Sequence, residues 1–281
     1  MGFYPYFKSK KTSSSIVSTG GPSQVGLGVL DSPDRLTYHY RGGASEVREN
    51  GPTKVSIIIP AWNESHVIVE NLSSLQPLRS EGHEIIVVDG GSSDDTVHRS
   101  RPLVDRVICS PPGRARQMNA GARAATGDVL LFLHADTRLP PGAAASLLHG
   151  LAQQGRIWGR FDVRLSGKRL LFRTISHLMN LRSRLTGIAT GDQGIFAQRE
   201  VFEAVGGFPE IDLMEDIALS RILKRRGRPL CLGQRVETSS RRWEKNGVWR
   251  TVFLMWWLRL AYALGDDPKR LAETYNRLKD R

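Results

Sequence analysis

A chain of 281 residues, 40% hydrophobic and 24% charged, is long enough to bury a sizeable core as one large α/β domain or two small ones. Its 40 Lys and Arg against 28 Asp and Glu leave a net charge of +12, which favours acidic partners (nucleotides, anionic headgroups or nucleic acid) without choosing among them. Two cysteines far apart, Cys109 and Cys231, argue against a disulfide framework or a zinc site and point to a reducing compartment, and no apolar run reaches the roughly 18 residues of a transmembrane helix.

The first 50 residues lack the continuous apolar core of a secretory signal. They carry no acid before Asp31 and are rich in Ser and Thr over 12–23, as a transit peptide would be, but contain no Arg before Arg35. Residues 1–52 are therefore expected to form a disordered N-terminal extension, with organelle targeting as the lesser alternative. The fold proper should begin after the turn pair Gly51-Pro52. A β-branched run over 55–59, closed by Pro60, has the continuous apolarity of a parallel strand covered on both faces.

A helix is expected over 64–75, then a second strand over 84–88 that ends at Asp89. Gly90-Gly91 turns the chain, and Ser92 or Ser93 is placed to cap a short helix with Asp94 and Asp95 in its first turn. A strand over 105–109, an Ala-rich helix over 115–125, a strand over 128–133 and a helix over 140–153 follow. Strand and helix alternate throughout, which predicts a doubly wound, mostly parallel α/β sheet flanked by helices.

Beyond residue 153 the rhythm changes. The segment 156–165 alternates as a strand with one polar face, whereas 170–185 is a basic amphipathic helix that could cover the sheet or lie on a membrane surface. A strand at 194–197, a turn at 206–209, a helix over 217–226 ending in Lys224-Arg225-Arg226 before Gly227, and a last strand over 228–236 come next. C-terminal helices are expected over 248–264 and 268–279. The run 252–258, Val-Phe-Leu-Met-Trp-Trp-Leu, is apolar all round, as suits a bilayer interface or packing against the domain.

Four polar clusters stand at the ends of apolar elements. The first, Pro60-Ala61-Trp62-Asn63-Glu64, reads by itself as a turn and helix cap. Asp89, at the end of the second strand, could accept hydrogen bonds from a nucleoside base or ribose. His134-Ala135-Asp136 ends the fourth strand, where an acid could hold a metal against a phosphate or simply cap the next helix. Glu215-Asp216 opens a helix, where acids also serve the helix dipole.

Together these clusters resemble the inverting nucleotide-sugar glycosyltransferases of family 2, which have the GT-A fold. The resemblance covers roughly 54–281 and rests on the order and spacing of several motifs: VSIIIPAWNE (55–64), IVVDGGSSDDT (86–96), GRARQMNAGA (113–122), GDVLLFLHADT (127–137), GDQGIF (191–196), GGF (206–208), MED (214–216) and SRRW (240–243). It implies one glycosyltransferase domain over 53–281, with a nucleotide-binding half at about 53–137, an acceptor half at about 138–247 and C-terminal helices at about 248–281. In it, Pro60 and Glu64 would lie against the nucleotide and Asp89 would read base or ribose. Arg116 would pair with the diphosphate in the bidentate manner open to guanidinium, with a solvated charge as the bland alternative.

Asp136 would hold Mg²⁺ or Mn²⁺ against the diphosphate. His134 stands where the family has the first acid of Asp-X-Asp, so it is a second candidate ligand, and a better one for Mn²⁺ than for Mg²⁺. Asp216 matches the family's catalytic base and Glu215 would orient base or acceptor. Asp192 and Gln193 would line the acceptor side. Arg241, Arg242 and Trp243 resemble the Gln-X-X-Arg-Trp element of processive relatives, although Ser239 replaces the Gln and processive polymerisation is not supported.

The expected partners are a nucleoside-diphosphate sugar and a sugar or lipid acceptor, with nucleic acid disfavoured. The expected setting is cytoplasmic with peripheral membrane contact. Two alternatives stay open: a nucleotidyltransferase on a similar sheet, which would want a Gly-rich basic loop where Trp62-Asn63-Glu64 stands, and a non-catalytic basic module for membrane or nucleic acid.

Overall fold

The computed structural model describes residues 53–279 apart from 168, 169, 242, 243, 245 and 246. The expectations for the 1–52 extension and for Arg242 and Trp243 therefore lie outside the described residues. The first half alternates as the pattern predicts: β1 (Val55–Ala61), α1 (Ile68–Ser74), α2 (Gln76–Ser80), β2 (Glu84–Asp89), α3 (Thr96–Ser100), β3 (Arg106–Cys109), α4 (Arg114–Ala124) and β4 (Val129–Phe132). The second half comprises β5 (Thr137–Arg138), α5 (Ala143–Gln154), β6 (Trp158–Leu165), α6 (Leu170–Thr186), β7 (Ile195–Gln198), α7 (Arg199–Ala204), α8 (Glu215–Arg226), β8 (Leu230–Thr238), α9 (Val248–Ala263) and α10 (Pro268–Lys279).

The eight strands form one sheet in the order β3-β2-β1-β4-β7-β6-β8-β5. β3, β2, β1 and β4 run parallel. β7 is antiparallel to both β4 and β6, β6 and β8 are parallel, and β5 is antiparallel to β8. Consecutive parallel strands run outward from β1 to β2 and β3, and the chain then returns to β4 on the other side of β1. That reversal is a topological switch point, where open α/β sheets leave a crevice beyond the strand carboxyl ends.

Side chains on a strand alternate between faces, and β1 shows why its apolar run is continuous. Ile57 and Ile59 join one core layer with Ile68 and Leu72 of α1 and with Leu147 of α5. Ile58 joins the opposite layer with Met118 and Ala122 of α4, Phe202 of α7 and Leu219 of α8. Gly121 lets α4 approach closely, since a Cβ there would stand 2.4 Å from Cγ2 of Ile58 and 2.9 Å from Cγ2 of Val88.

Two local expectations are corrected. The single helix over 64–75 begins only at Ile68 and breaks at Leu75. Pro77 lacks the N–H to continue it and restricts the residue before it. Ser92 and Ser93 cap no helix: the Ser92 hydroxyl accepts from the backbone N–H of Asn63 at 2.9 Å, and the Ser93 N–H donates to Asn63 Oδ1 at 2.9 Å. The two-residue β5 and the short α7, which starts directly out of β7, carry too few residues for a periodic signal.

Candidate functional site

The carboxyl ends of β1 and β4 and the amino ends of α4 and α8 open on a cleft of about 1790 Å³. On its sheet side the loops after β1 and β2 are tied together. Asn63 adopts a left-handed φ of 54°, tolerable for Asn. The Glu64 N–H donates to Thr96 Oγ1 at 2.8 Å, and the Ser65 N–H to Asp94 Oδ2 at 3.1 Å. Gln117 of α4 donates through Nε2 to the carbonyls of Ala61 and Val88, both at 2.8 Å, which pins the ends of β1 and β2.

Asp89 does not itself line the cleft but pairs in register with Ala61, which does. Its Oδ2 accepts from the backbone N–H groups of Gly91 and Ser92 at 2.9 and 3.0 Å, while Oδ1 is buried without a partner. A buried carboxylate oxygen left unpaired is costly, and a donor from a ligand would satisfy it. Pro60 and Glu64 line the cleft. Burial raises the Glu64 pKa, the charge of Asp136 adds to the rise, and His66, Arg241 and Arg114 oppose it.

Across from these, Met214 takes a left-handed φ of 70°, uncommon for a residue with a side chain. Its side chain is buried against Ile217, Leu258 and Leu271, so packing holds the turn that starts α8 and puts Glu215 and Asp216 in the cleft wall. Asp216 Oδ2 accepts from the Gly191 N–H at 2.8 Å and Oδ1 from the Ile217 N–H at 2.7 Å. A carboxylate has about four lone-pair sites, so acceptor capacity remains for a substrate proton. Glu215 is buried; burial and the Asp216 charge push its pKa up to about 7, against the pull of Arg114.

His134 and Asp136 both line the cleft. The His134 ring sits against the loop that holds Asp216: a Cβ on Gly191 would stand 2.6 Å from His134 Nε2 and 3.8 Å from Asp216 Oδ2. Asp192 also lines the cleft. Burial raises its pKa, and the Asp216 charge adds to this, against the Thr190 hydroxyl, Arg259 and Arg182. Gln193, by contrast, is fully buried behind that wall, accepting from the Thr190 N–H at 3.1 Å and donating to Asn180 Oδ1 at 3.4 Å. Arg241 lines the cleft, with Nε donating to Ser239 Oγ at 3.2 Å.

Arg116 does not reach the cleft; it pairs on the surface with Glu210 at 3.6 Å. Arg114 stands there instead, at the first position of α4. Desolvation lowers its pKa, but the charges of Glu215, Tyr275, Asp216 and Asp136 outweigh that and leave it raised. One cation thus senses all three carboxylates. The helical phase contained this signal: Arg114 and Gln117 are three residues apart and share a face, whereas Arg116 is turned away from Arg114. Arg182 and Arg259, not singled out from the sequence, also line the cleft.

Among the described residues no group of three or more His, Cys, Asp or Glu side chains could hold a metal ion. A dedicated protein cage is therefore missing from that part of the chain. Asp136 in an open cleft fits an ion that keeps waters and takes its other ligands from substrate phosphates, the common arrangement for Mg²⁺.

Comparison with known proteins converges on one family. A family model described as Glycosyl transferase family 2 matches residues 56–206. The undecaprenyl-phosphate 4-deoxy-4-formamido-L-arabinose transferase of Yersinia pestis bv. Antiqua (strain Angola) is 30% identical over 168 residues, covering 54% of this chain and 51% of that protein. The chain thus spans about half the length of the curated relatives it matches.

Among solved structures, the mannosyltransferase PcManGT of Pyrobaculum calidifontis, in complex with GDP-Man and Mn²⁺, superposes with a TM-score of 0.57 at 22% identity, covering 82% of this chain and 70% of that one. S. aureus TarS 1-349 in complex with UDP-GlcNAc superposes with a TM-score of 0.55 at 19% identity, covering 66% of this chain and 58% of that one. The fold is therefore that of GT-A glycosyltransferases, a curled and mostly parallel sheet flanked by helices.

Proposed function

The chain belongs to glycosyl transferase family 2, and on that premise we propose that it moves a sugar from a nucleoside diphosphate to an acceptor hydroxyl with inversion at the anomeric carbon. The observation that carries this reading is that Arg114, Asp136, Glu215 and Asp216 all line one cleft at the switch point of the sheet. Residues 53–137 form the nucleotide-binding half, 138–247 the acceptor half, and the helices from 248 close the cleft. The nucleotide lies over the ends of β1 and β2, where Pro60 and Glu64 flank it and the unpaired Oδ1 of Asp89 accepts from base or ribose. Arg114, rather than Arg116, pairs with the diphosphate.

Asp136 would hold Mg²⁺ or Mn²⁺ against the diphosphate, and the ion would neutralise charge developing on the leaving group. Asp216, fixed by the N–H groups of Gly191 and Ile217, takes the proton from the acceptor hydroxyl. That oxygen forms the new bond to the anomeric carbon as the bond to the diphosphate oxygen breaks, and the nucleoside diphosphate departs. Glu215 orients Asp216 and Asp192 borders the acceptor. Gln193 shapes the Thr190–Asp192 turn from behind.

A ligand that binds only the folded state raises its melting temperature. A thermal-shift screen of nucleotide sugars with and without Mn²⁺ should therefore yield at least one donor whose stabilisation grows with the metal. No stabilisation by any nucleotide sugar would refute the reading.

A further inference from the structure

A side chain from the C-terminal helix reaches the cleft. Helix α10 spans Pro268–Lys279, outside the residues 56–206 that the family model matches. Leu271 and Tyr275 stand four residues apart on it and share a face. Leu271 is buried in one cluster with Met214 and Ile217 at the start of α8 and Leu258 of α9, and Tyr275 packs against that cluster. The packing that holds the left-handed turn at Met214 thus also anchors α10 beside Glu215 and Asp216.

Tyr275 is partly buried, and of the described residues of α10 it alone lines the cleft. Arg114 lines the same cleft. Desolvation lowers the Arg114 pKa, and among the groups that raise it Tyr275 stands second to Glu215, ahead of Asp216 and Asp136. Such influence falls with distance, so the phenol oxygen is near the guanidinium. The body of the ring belongs to the packing of α8, α9 and α10, and its polar tip to the cleft, the usual division of an amphipathic aromatic side chain.

A diphosphate has more acceptor oxygens than one guanidinium can fill. Carboxylates such as those of Asp136 and Asp216 accept hydrogen bonds and donate none. A phenol supplies an O–H donor without adding charge, which suits a phosphate oxygen that lies beside a guanidinium. We propose that Tyr275 is a residue of the nucleotide-sugar site, its phenol O–H donating a hydrogen bond to a diphosphate oxygen next to those that pair with Arg114. In this way α10 adds a contact that reads the diphosphate rather than the nucleoside. The inference rests on the sugar-transfer reading and leaves bond making at Asp216.

The test is calorimetry with Mn²⁺ and the diphosphates of uridine, guanosine, adenosine, cytidine and thymidine, together with the monophosphate of whichever nucleoside the wild type binds most tightly. Tyr275→Phe keeps the ring and removes only the hydroxyl. It should weaken the diphosphate about tenfold, leave the monophosphate within about twofold and keep Tm within about one degree of the wild type. Unchanged diphosphate affinity would refute the contact and leave Tyr275 a packing residue. An equal loss for monophosphate and diphosphate would also overturn it, because the effect would then lie with the nucleoside or with the shape of the whole cleft.

Tyr275→Ala takes the ring out of the cluster as well, and should lower Tm by on the order of several degrees where Tyr275→Phe does not. Equal Tm for all three proteins would mean that the ring is not seated against Leu271 and Met214, and the placement of its hydroxyl would fall with it. Wild-type binding separates this inference from the transferase reading. If a nucleoside diphosphate binds and Tyr275→Phe binds it equally well, Tyr275 leaves the site and the transferase reading stands. If none binds, the transferase reading falls and the role of Tyr275 falls with it.

Discussion

On the sheet side of the cleft, side chains are held by the backbone of β1, β2 and β4 and by bonds of 2.8 to 3.1 Å among their loops. On the α6 and α9 side, Arg182 and Arg259 line the cleft among exposed leucines and a tryptophan, and Arg182 Nε and Nη2 are buried without a hydrogen-bond partner. The first region is preorganised and polar; the second sets charge beside an apolar surface. A nucleotide and its diphosphate have many fixed polar atoms and suit a rigid, hydrogen-bonded cradle. The contrast teaches that one cleft can be built from a hydrogen-bonded wall on one side and an apolar one on the other.

The largest effect that would sharpen or break this division is on the chemical step. Asp216→Asn should lower transfer by roughly 10²- to 10⁴-fold, the usual contribution of a general base, and leave donor binding intact. Substantial transfer by a folded variant would remove Asp216 from that role. On the donor side, Asp136→Ala should weaken metal-dependent binding of a nucleoside diphosphate in calorimetry by about tenfold or more. Unchanged affinity would refute the metal assignment.

Smaller effects test the scaffold. Gly121→Ala would drive a methyl into Ile58 and Val88 under the donor half and should cost about 1–3 kcal/mol, read as a fall of about 2–4 °C in Tm per kcal/mol. A variant as stable as the wild type would mean that α4 is less tightly seated than its contacts show. The smallest effect concerns Glu215, whose pKa lies above the ordinary 4.5 at about 7. The folded state then holds this proton more tightly than the unfolded chain. Its stabilising share is fully present below pH 4.5 and is lost as the pH rises through about 7. Glu215→Gln should therefore match the wild type in Tm near pH 4.5 and exceed it by on the order of a few degrees at pH 8; equal Tm at both pH values would contradict the buried, carboxylate-crowded setting.

The strands of the first half were legible in the sequence because their signals are local. Continuous apolar runs such as 55–59 mark strands covered on both faces, and the polar residues that follow them sit where the crevice must be. Asp136 and Asp216 reach the cleft in that way, from a strand end and a helix start, whereas Asp89 lies beside it, paired with Ala61. Arg116 was expected at the diphosphate from the resemblance, and only the helical phase set by Gln117 singles out Arg114, which shares its face of α4. The Arg182 and Arg259 pair escaped notice for a different reason. α6 reads as amphipathic and the run 252–258 of α9 as apolar all round, and only tertiary packing brings the two helices to one cleft across 77 residues of chain. The break at Pro77 and the Asn63–Ser92 tie are likewise products of contact rather than of pattern.

The most direct measurement of the whole account is hydrogen exchange with and without a nucleotide sugar and Mn²⁺, which maps where a ligand slows local opening. The account predicts that the donor protects the segments 60–65, 89–92, 113–117 and 134–136 and leaves α6 and α9 unchanged. Protection confined to α6 and α9, with none at the strand ends, would contradict it.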